Sequence, residues 1–88
     1  MSGGIKLLAD LKNNNKAVGR KQCLKAIANN SAKRIFIAKD SDKHIIEEFE
    51  RLSVKKEIEI VYVDSKSHLG KACGIEVGAA VACTLHKQ

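Results

Sequence analysis

The spacing of hydrophobic residues changes several times along the chain, which predicts that helices and strands alternate, as in an α/β domain. Helical spacing over residues 4–12 predicts a short first helix, and the three asparagines that follow favour turn geometry and end it. The apolar pair at residues 17–18 is interpreted as a very short strand. A second helix is predicted over residues 20–29, directly after Gly19.

The central part of the chain predicts two strands with a helix between them. The run at residues 34–38, which is apolar after Arg34, is β-branched and aromatic, which is typical of a strand buried on both faces. Residues 40–42 (Asp-Ser-Asp) supply N-cap chemistry for an amphipathic helix over about residues 42–55. A further β-branched run predicts a strand over residues 58–63.

The C-terminal part predicts a short helix and a last strand. Ser65 or Ser67 can cap the helix, and Gly74 is placed to end it. Alternation over residues 77–85 predicts the final strand, with a helix of small residues as the alternative. Together the elements predict one domain over residues 1–88, a three-layer α/β/α sandwich with a mixed sheet of about four strands.

The excess of positive charge on this short chain points to a polyanionic partner. Sixteen Lys and Arg against ten Asp and Glu give a formal net charge of +6. Such a charge favours nucleic acid first and an acidic membrane second, with a generic soluble surface as the alternative. Only two Phe and one Tyr are present, which argues against a surface that stacks single-stranded bases on aromatic side chains.

The cysteines and the hydropathy pattern predict a soluble cytoplasmic protein. Cys23, Cys73 and Cys83 form no C-x-x-C pair and lie among apolar neighbours, so we expect reduced and mostly buried thiols. The N-terminus shows no signal-peptide pattern. No apolar stretch approaches the roughly 20 residues that span a bilayer, and no membrane partner is expected.

Catalytic and metal sites have little support in the sequence. His44, His68 and His86 lack ligand spacing with any cysteine, so neither a metal nor another cofactor is expected. Cys73 with His68 as its base is the alternative of a thiol enzyme, but no third orienting group accompanies them. Residues 70–71 (Gly-Lys) lack the earlier glycine and the following Ser or Thr of a phosphate-binding loop. We therefore expect a binding protein and no enzyme.

The segment from Gly19 to Lys25 has the chemistry of a helix start that binds a polyanion. Gly19 permits a sharp turn, and the helix end that follows directs free N–H groups toward a phosphate. The polar stripe of this helix consists of Lys21, Gln22, Lys25 and Asn29, opposite the apolar stripe of Cys23, Leu24 and Ile27. A lysine ammonium can donate hydrogen bonds to O6 and N7 of guanine, and a glutamine amide can both donate and accept hydrogen bonds at a base edge. An ordinary solvated helix face is the alternative.

Three segments, taken in order, resemble a known family. They are Gly19-Arg20-Lys21-Gln22 with Lys25, Ile35-Phe36-Ile37-Ala38-Lys39-Asp40, and Leu69-Gly70-Lys71-Ala72-Cys73-Gly74-Ile75-Glu76-Val77-Gly78-Ala79-Ala80. The chain resembles, over about residues 5–85, the ribosomal-protein family that binds RNA kink-turns, and its bacterial YbxF-like branch in particular. The fold that this resemblance implies is an α/β/α sandwich, in agreement with the hydrophobic spacing.

The resemblance implies a structured RNA partner, a sharply bent duplex built around sheared G·A pairs. The helix-start residues that would enter its major groove at the kink are Gly19, Arg20, Lys21, Gln22 and Lys25. Gln22 and Lys25 would face guanine edges, whereas Arg20 and Lys21 would meet phosphates. Ile75, Glu76 and Val77 would form a loop on the extruded nucleotides, with Lys39 and Asp40 nearby.

The sequence departs from the family pattern at the helix start. Arg20 stands where bacterial members usually have Thr, and residues 21–22 (Lys-Gln) stand where archaeal and eukaryotic members have Asn-Glu. The base contacts of that pair are therefore not carried over intact. We expect a monomer that binds ribosomal RNA or a riboswitch-like leader and no DNA, and that is cytoplasmic and ribosome-associated. A ribosome-associated protein-interaction module of the same fold, which does not bind kink-turns, is the alternative.

Overall fold

The computed structural model describes residues 10–12 and 15–86, which form seven helices and strands and one short 3₁₀ turn. The turn is Asp10–Lys12. The strands are β1 (Lys16–Val18), β2 (Ala32–Ala38), β3 (Glu59–Val63) and β4 (Val81–Leu85). The helices are α1 (Arg20–Ala28), α2 (Lys43–Lys56) and α3 (Lys66–Cys73). The predicted helix over residues 4–12 lies mostly outside the described residues.

The four strands form one mixed sheet in the order β1-β4-β2-β3. β4 runs antiparallel to both of its neighbours, whereas β2 and β3 are parallel and joined by the crossover helix α2. Consequently the carboxyl ends of β1, β2 and β3 and the amino end of β4 all lie at the same edge of the sheet. We call this edge the loop edge.

Side chains alternate between the two faces along every strand, so both faces of the sheet carry apolar residues. Helices cover each face and bury these residues. On one face, Ile35 and Ile37 of β2 pack with Cys23 and Ile27 of α1 and Phe49 of α2. The opposite face carries a second cluster, whose main members are Phe36, Ala38, Leu11, Leu69 and Ala82. The predicted three-layer α/β/α sandwich and its mixed four-stranded sheet are thereby confirmed.

The ends of α3 follow the predicted capping chemistry. Ser65 is the N-cap, and its side-chain oxygen accepts a hydrogen bond from the His68 backbone N–H. Gly74 ends the helix in the left-handed conformation, with φ of 80°. Asp42 likewise occupies the predicted N-cap of α2, but its side chain makes no capping hydrogen bond.

The predicted final strand over residues 77–85 is wrong at its beginning, because β4 starts only at Val81. Residues 77–79 turn back over α3 instead of pairing in the sheet, and the Ala80 carbonyl oxygen accepts a hydrogen bond from the end of β2. The Ala79 N–H donates to the carbonyl oxygen of Lys66 (3.0 Å), and the α-carbon of Gly78 lies against the first turn of the same helix. The small residue Gly78 allows this close packing on α3. The order of small and larger residues in this segment resembles the alternation of a strand, although no strand forms there. Among the described residues, no helix is long and apolar enough to cross a membrane.

Candidate nucleic-acid interface

The three sequence segments singled out for binding meet at the loop edge of the sheet. The Gly19 N–H, between β1 and α1, donates to the carbonyl oxygen of Val81 (2.9 Å). The Ala38 N–H, at the end of β2, donates to the carbonyl oxygen of Ala80 (2.9 Å), and the Ser41 hydroxyl donates to the same oxygen (3.1 Å). The helix start, the loop after β2 and the loop before β4 are therefore joined by hydrogen bonds at one edge.

Gly19 is required at the start of α1 by its backbone conformation. Its φ is 95° with ψ of 159°, a combination that side chains with a Cβ rarely adopt. A Cβ at this position would meet nothing within 4 Å, so conformation and not space selects glycine. No side chain caps the helix, and the first N–H groups of α1 have no partner within the helix. This end of α1 is therefore suited to an anionic group.

The outer face of α1 carries the polar stripe that its sequence predicts. The exposed residues of this stripe are Lys21, Gln22, Lys25 and Asn29. Cys23 and Ile27 point into the core and are buried, and Leu24 is half-buried. Among the residues that the structure describes, no carboxylate forms an ion pair with Lys21 or Lys25. Their ammonium groups are thus available to a polyanion.

A shallow groove of about 290 Å³ runs beside this stripe, between α1 and the outermost strand β1. Its lining residues are Lys16, Ala17, Val18, Gln22, Lys25, Ala26, Asn29 and Leu85. Local sequence patterns did not predict that Lys16 and Leu85 lie on this surface. Their place depends on the pairing of β1 with β4, which joins parts of the chain that are far apart in sequence.

Arg20 forms a two-pronged ion pair with Glu48 of α2, which the sequence did not predict. Arg20 Nε donates to Oε1 of Glu48 (2.8 Å), and Nη2 donates to Oε2 (2.9 Å). These hydrogen bonds and the negative charge of Glu48 raise the pKa of Arg20 further. The two residues are 28 positions apart on separate helices, so local sequence patterns carry no trace of the contact.

Lys39 and Asp40 lie in the loop after β2, where both make contacts within the protein. The ammonium group of Lys39 is 3.7 Å from a carboxylate oxygen of Asp64. The Asp40 carboxylate accepts a hydrogen bond from the backbone N–H of Lys66 (2.8 Å), the first residue of α3. Asp40 thus accepts the first backbone N–H of α3, whose N-cap is Ser65, although its sequence position suggested a role at the start of α2.

The loop after α3 presents one large apolar side chain to solvent. Val77 is 71% exposed and Glu76 is also exposed. Ile75 is half-buried and packs against the second core cluster. Of the two apolar residues predicted to cover unstacked nucleotides, Val77 is therefore the more accessible.

The thiol and histidine groups considered for catalysis do not form a site. Cys73 is buried, and burial raises the pKa of its thiol, whereas His68 is exposed. A raised pKa lowers the thiolate population on which nucleophilic attack depends. Within residues 10–12 and 15–86, no group of His, Cys, Asp and Glu side chains could hold a metal ion.

Comparison with known proteins identifies the family. The model of the ribosomal protein L7Ae/L30e/S12e/Gadd45 family matches residues 3–88. The chain therefore belongs to this family of ribosomal and RNA-binding proteins, as its sequence motifs indicated. The membership agrees with the expectation of a binding protein and not an enzyme.

Three relatives illustrate the match. An RNA-binding protein of Caldanaerobacter subterraneus is 43% identical over 67 residues, which cover 76% of this chain and 82% of the relative. The RNA-binding protein YbxF of Geobacillus stearothermophilus is 37% identical over 68 residues, 77% of this chain and 83% of the relative. The solved 15.5kD RNA binding protein of Giardia lamblia superposes with a TM-score of 0.86 at 26% identity, covering 96% of this chain and 74% of the other.

Proposed function

We propose that this protein binds structured RNA through the loop edge of its sheet, and that its target is a kink-turn with sheared G·A pairs in ribosomal RNA or a structured leader. The observation that carries the proposal is the meeting of a basic helix start with an exposed apolar loop, in a chain whose relatives are named RNA-binding proteins. The proposed binding residues are Gly19, Arg20, Lys21, Gln22, Lys25, Lys39, Asp40, Ile75, Glu76 and Val77.

The roles of these residues follow from the shape of RNA. A-form RNA hides base edges in a deep, narrow major groove, and a kink opens that groove to a helix end. Gln22 and Lys25, exposed on α1, would then bond guanine edges, and Lys21 would contact phosphates. Val77, which is largely exposed, would pack on nucleotides extruded from the kink.

Binding of this kind stabilises one RNA conformation at the expense of another. A protein that binds the kinked RNA more tightly than the extended RNA shifts the population toward the kink. A shift from mostly extended to mostly kinked needs about 5 kcal/mol of differential affinity. A few base contacts of about 1–3 kcal/mol each supply that amount. The protein would act as a cytoplasmic, ribosome-associated, monomeric single domain.

The test is a gel-shift titration with a kink-turn RNA and with a control RNA whose G·A pairs are replaced by Watson–Crick pairs. We expect tight binding to the first RNA and weak binding to the second. Gln22→Ala and Lys25→Ala should each weaken binding to the kink-turn by about tenfold. Lys55→Ala, which removes an exposed charge in the last turn of α2, should have little effect.

Three results would contradict the proposal. Equal affinity for the two RNAs would mean that the protein binds charge and not the kink. Equal effects of Gln22→Ala, Lys25→Ala and Lys55→Ala would mean that the α1 stripe is not the contact surface. Tight binding to ribosomes without binding to isolated kink-turn RNA would favour a protein-interaction module of the same fold.

A further inference from the structure

We infer that Glu48 of α2 is a positioning residue for RNA recognition, because it holds the Arg20 guanidinium so that its outer edge can bond the O6 and N7 atoms of a guanine. This inference rests on the proposed function and adds a residue outside the predicted binding segments. Glu48 bonds Arg20 at Nε and Nη2, along one side of the guanidinium plane. The N–H donors that remain lie on Nη1 and Nη2, along the adjacent edge of the same plane.

The exposure of the two side chains indicates which member of the pair faces a ligand. The Arg20 side chain is 53% exposed, whereas the Glu48 side chain is 26% exposed. The carboxylate is therefore the more covered partner, and the guanidinium, on the first residue of α1, is the more exposed one. Arginine suits this arrangement because its planar group can bond two partners on two edges at once, which a lysine ammonium cannot do with fixed geometry.

The charge of the pair favours a base edge over a phosphate. A carboxylate bound to the guanidinium offsets its positive charge and would also repel a nearby phosphate. A guanine edge is neutral and presents two acceptors, which match two parallel N–H donors. Holding the guanidinium in place before binding reduces the side-chain freedom that would otherwise be lost on binding. The pair is thus suited to select guanine and poorly suited to add charge-driven affinity.

The first test is a double-mutant cycle on kink-turn affinity. Arg20→Ala should weaken binding by about tenfold. Glu48→Gln should also weaken binding, and it should have no effect when Arg20→Ala is already present. Glu47→Gln removes the same charge from an exposed position on the same helix and should leave the affinity unchanged. Tighter binding by Glu48→Gln, or the same effect with and without Arg20, would overturn the inference.

The second test separates a base contact from a phosphate contact by salt dependence. The slope of log affinity against log salt falls by about one when a phosphate contact is lost. Arg20→Ala should therefore leave the slope unchanged, and Lys21→Ala should reduce it. A reduced slope for Arg20→Ala would assign Arg20 to a phosphate and overturn the guanine assignment.

A third measurement, by NMR, distinguishes direct positioning of Arg20 from a merely structural role of Glu48. The Nε–H resonance of Arg20 should be resolved in the free protein, persist in the RNA complex and be lost in Glu48→Gln. Loss of that resonance on RNA binding would show that the pair opens, contrary to the inference.

If the wild-type protein does not distinguish the kink-turn from its G·A-disrupted control, the proposed function fails and this inference with it. If it does distinguish them but the cycle shows no coupling, only this inference fails.

Discussion

Gly70 of α3 lies directly against the backbone of Val77 in the following loop. A Cβ added to Gly70 would collide with the carbonyl oxygen of Val77 and lie 3.1 Å from its carbonyl carbon. The contact holds the loop over the helix, together with the hydrogen bond from the Ile75 N–H to the Gly70 carbonyl oxygen (3.0 Å). The proposed position of Val77 against RNA therefore depends on the absence of a side chain at Gly70.

Gly70→Ala should destabilise the protein, although alanine favours a helix over glycine by about 1 kcal/mol. The added methyl group cannot be accommodated without moving the loop, and overpacking of this kind costs about 1–3 kcal/mol. Urea unfolding measures the loss of stability. The affinity for a kink-turn RNA should fall as well, because Val77 moves. Ala72 is half-buried against the second core cluster, so Ala72→Gly on the same helix reports helix propensity together with a small loss of packing, and it should destabilise as well. An increase in stability for Gly70→Ala would show that propensity outweighs the contact.

The helices and strands could largely be predicted from the sequence because their causes are local. The apolar run that became β2, the helical spacing of α2 and the capping residues Ser65 and Gly74 each depend on neighbours a few positions away. The start of β4 could not be predicted in the same way. Residues 77–80 alternate like a strand, but Gly78 packs closely on α3, where an added Cβ would lie 3.1 Å from the Lys66 side chain.

The candidate interface could be predicted only in part, for the same reason. The exposure of Lys21, Gln22 and Lys25 follows from the periodicity of a single helix. The partners of Arg20 and Asp40 are 28 and 26 residues away and depend on how the helices are placed around the sheet. Such contacts require the tertiary structure, since many carboxylates and N–H groups in the sequence could equally have supplied them.

Asp40→Ala should destabilise the protein by about 1 kcal/mol, because it removes the side chain that caps the first N–H of α3. The carboxylate accepts from the Lys66 N–H at 2.8 Å. Hydrogen exchange at the Lys66 amide should accelerate, and the unfolding midpoint in urea should fall. Asp42→Ala is the matched control, since Asp42 occupies an N-cap position without a side-chain capping bond. Equal losses of stability in Asp40→Ala and Asp42→Ala would show that the hydrogen bond from the Lys66 N–H to Asp40 does not stabilise the protein.

Tyr62 should lose its proton at higher pH than an ordinary phenol. Its hydroxyl donates to the Glu50 carboxylate, and this hydrogen bond, with a smaller effect of burial and charge, raises the pKa of Tyr62. Because the pKa is higher in the folded than in the unfolded chain, the stabilisation is complete below the unfolded value of about 10 and is lost as pH rises through the folded one. As Tyr62 is the only tyrosine and Trp is absent, tyrosinate absorbance measures this residue alone.

Glu50→Gln is the control for this titration. It leaves a neutral acceptor for the hydroxyl and removes the negative charge that disfavours tyrosinate, so the pKa of Tyr62 should move back toward its ordinary value. An unchanged titration curve in Glu50→Gln would show that the carboxylate is not the cause of the shift.

The three cysteines should resist alkylation in the folded protein and react in the unfolded one. Cys23 and Cys83 are fully buried, and Cys73 is 4% exposed at the end of α3. The adjacent Cys83 thiol, together with burial, raises the pKa of Cys23, and burial raises that of Cys73. The reactive thiolate is therefore scarce at neutral pH in both residues. Mass spectrometry after iodoacetamide treatment should find slow labelling, with Cys73 first, and complete labelling of all three in denaturant. Rapid labelling of Cys73 in the folded protein would contradict this expectation and return the thiol-enzyme alternative to consideration.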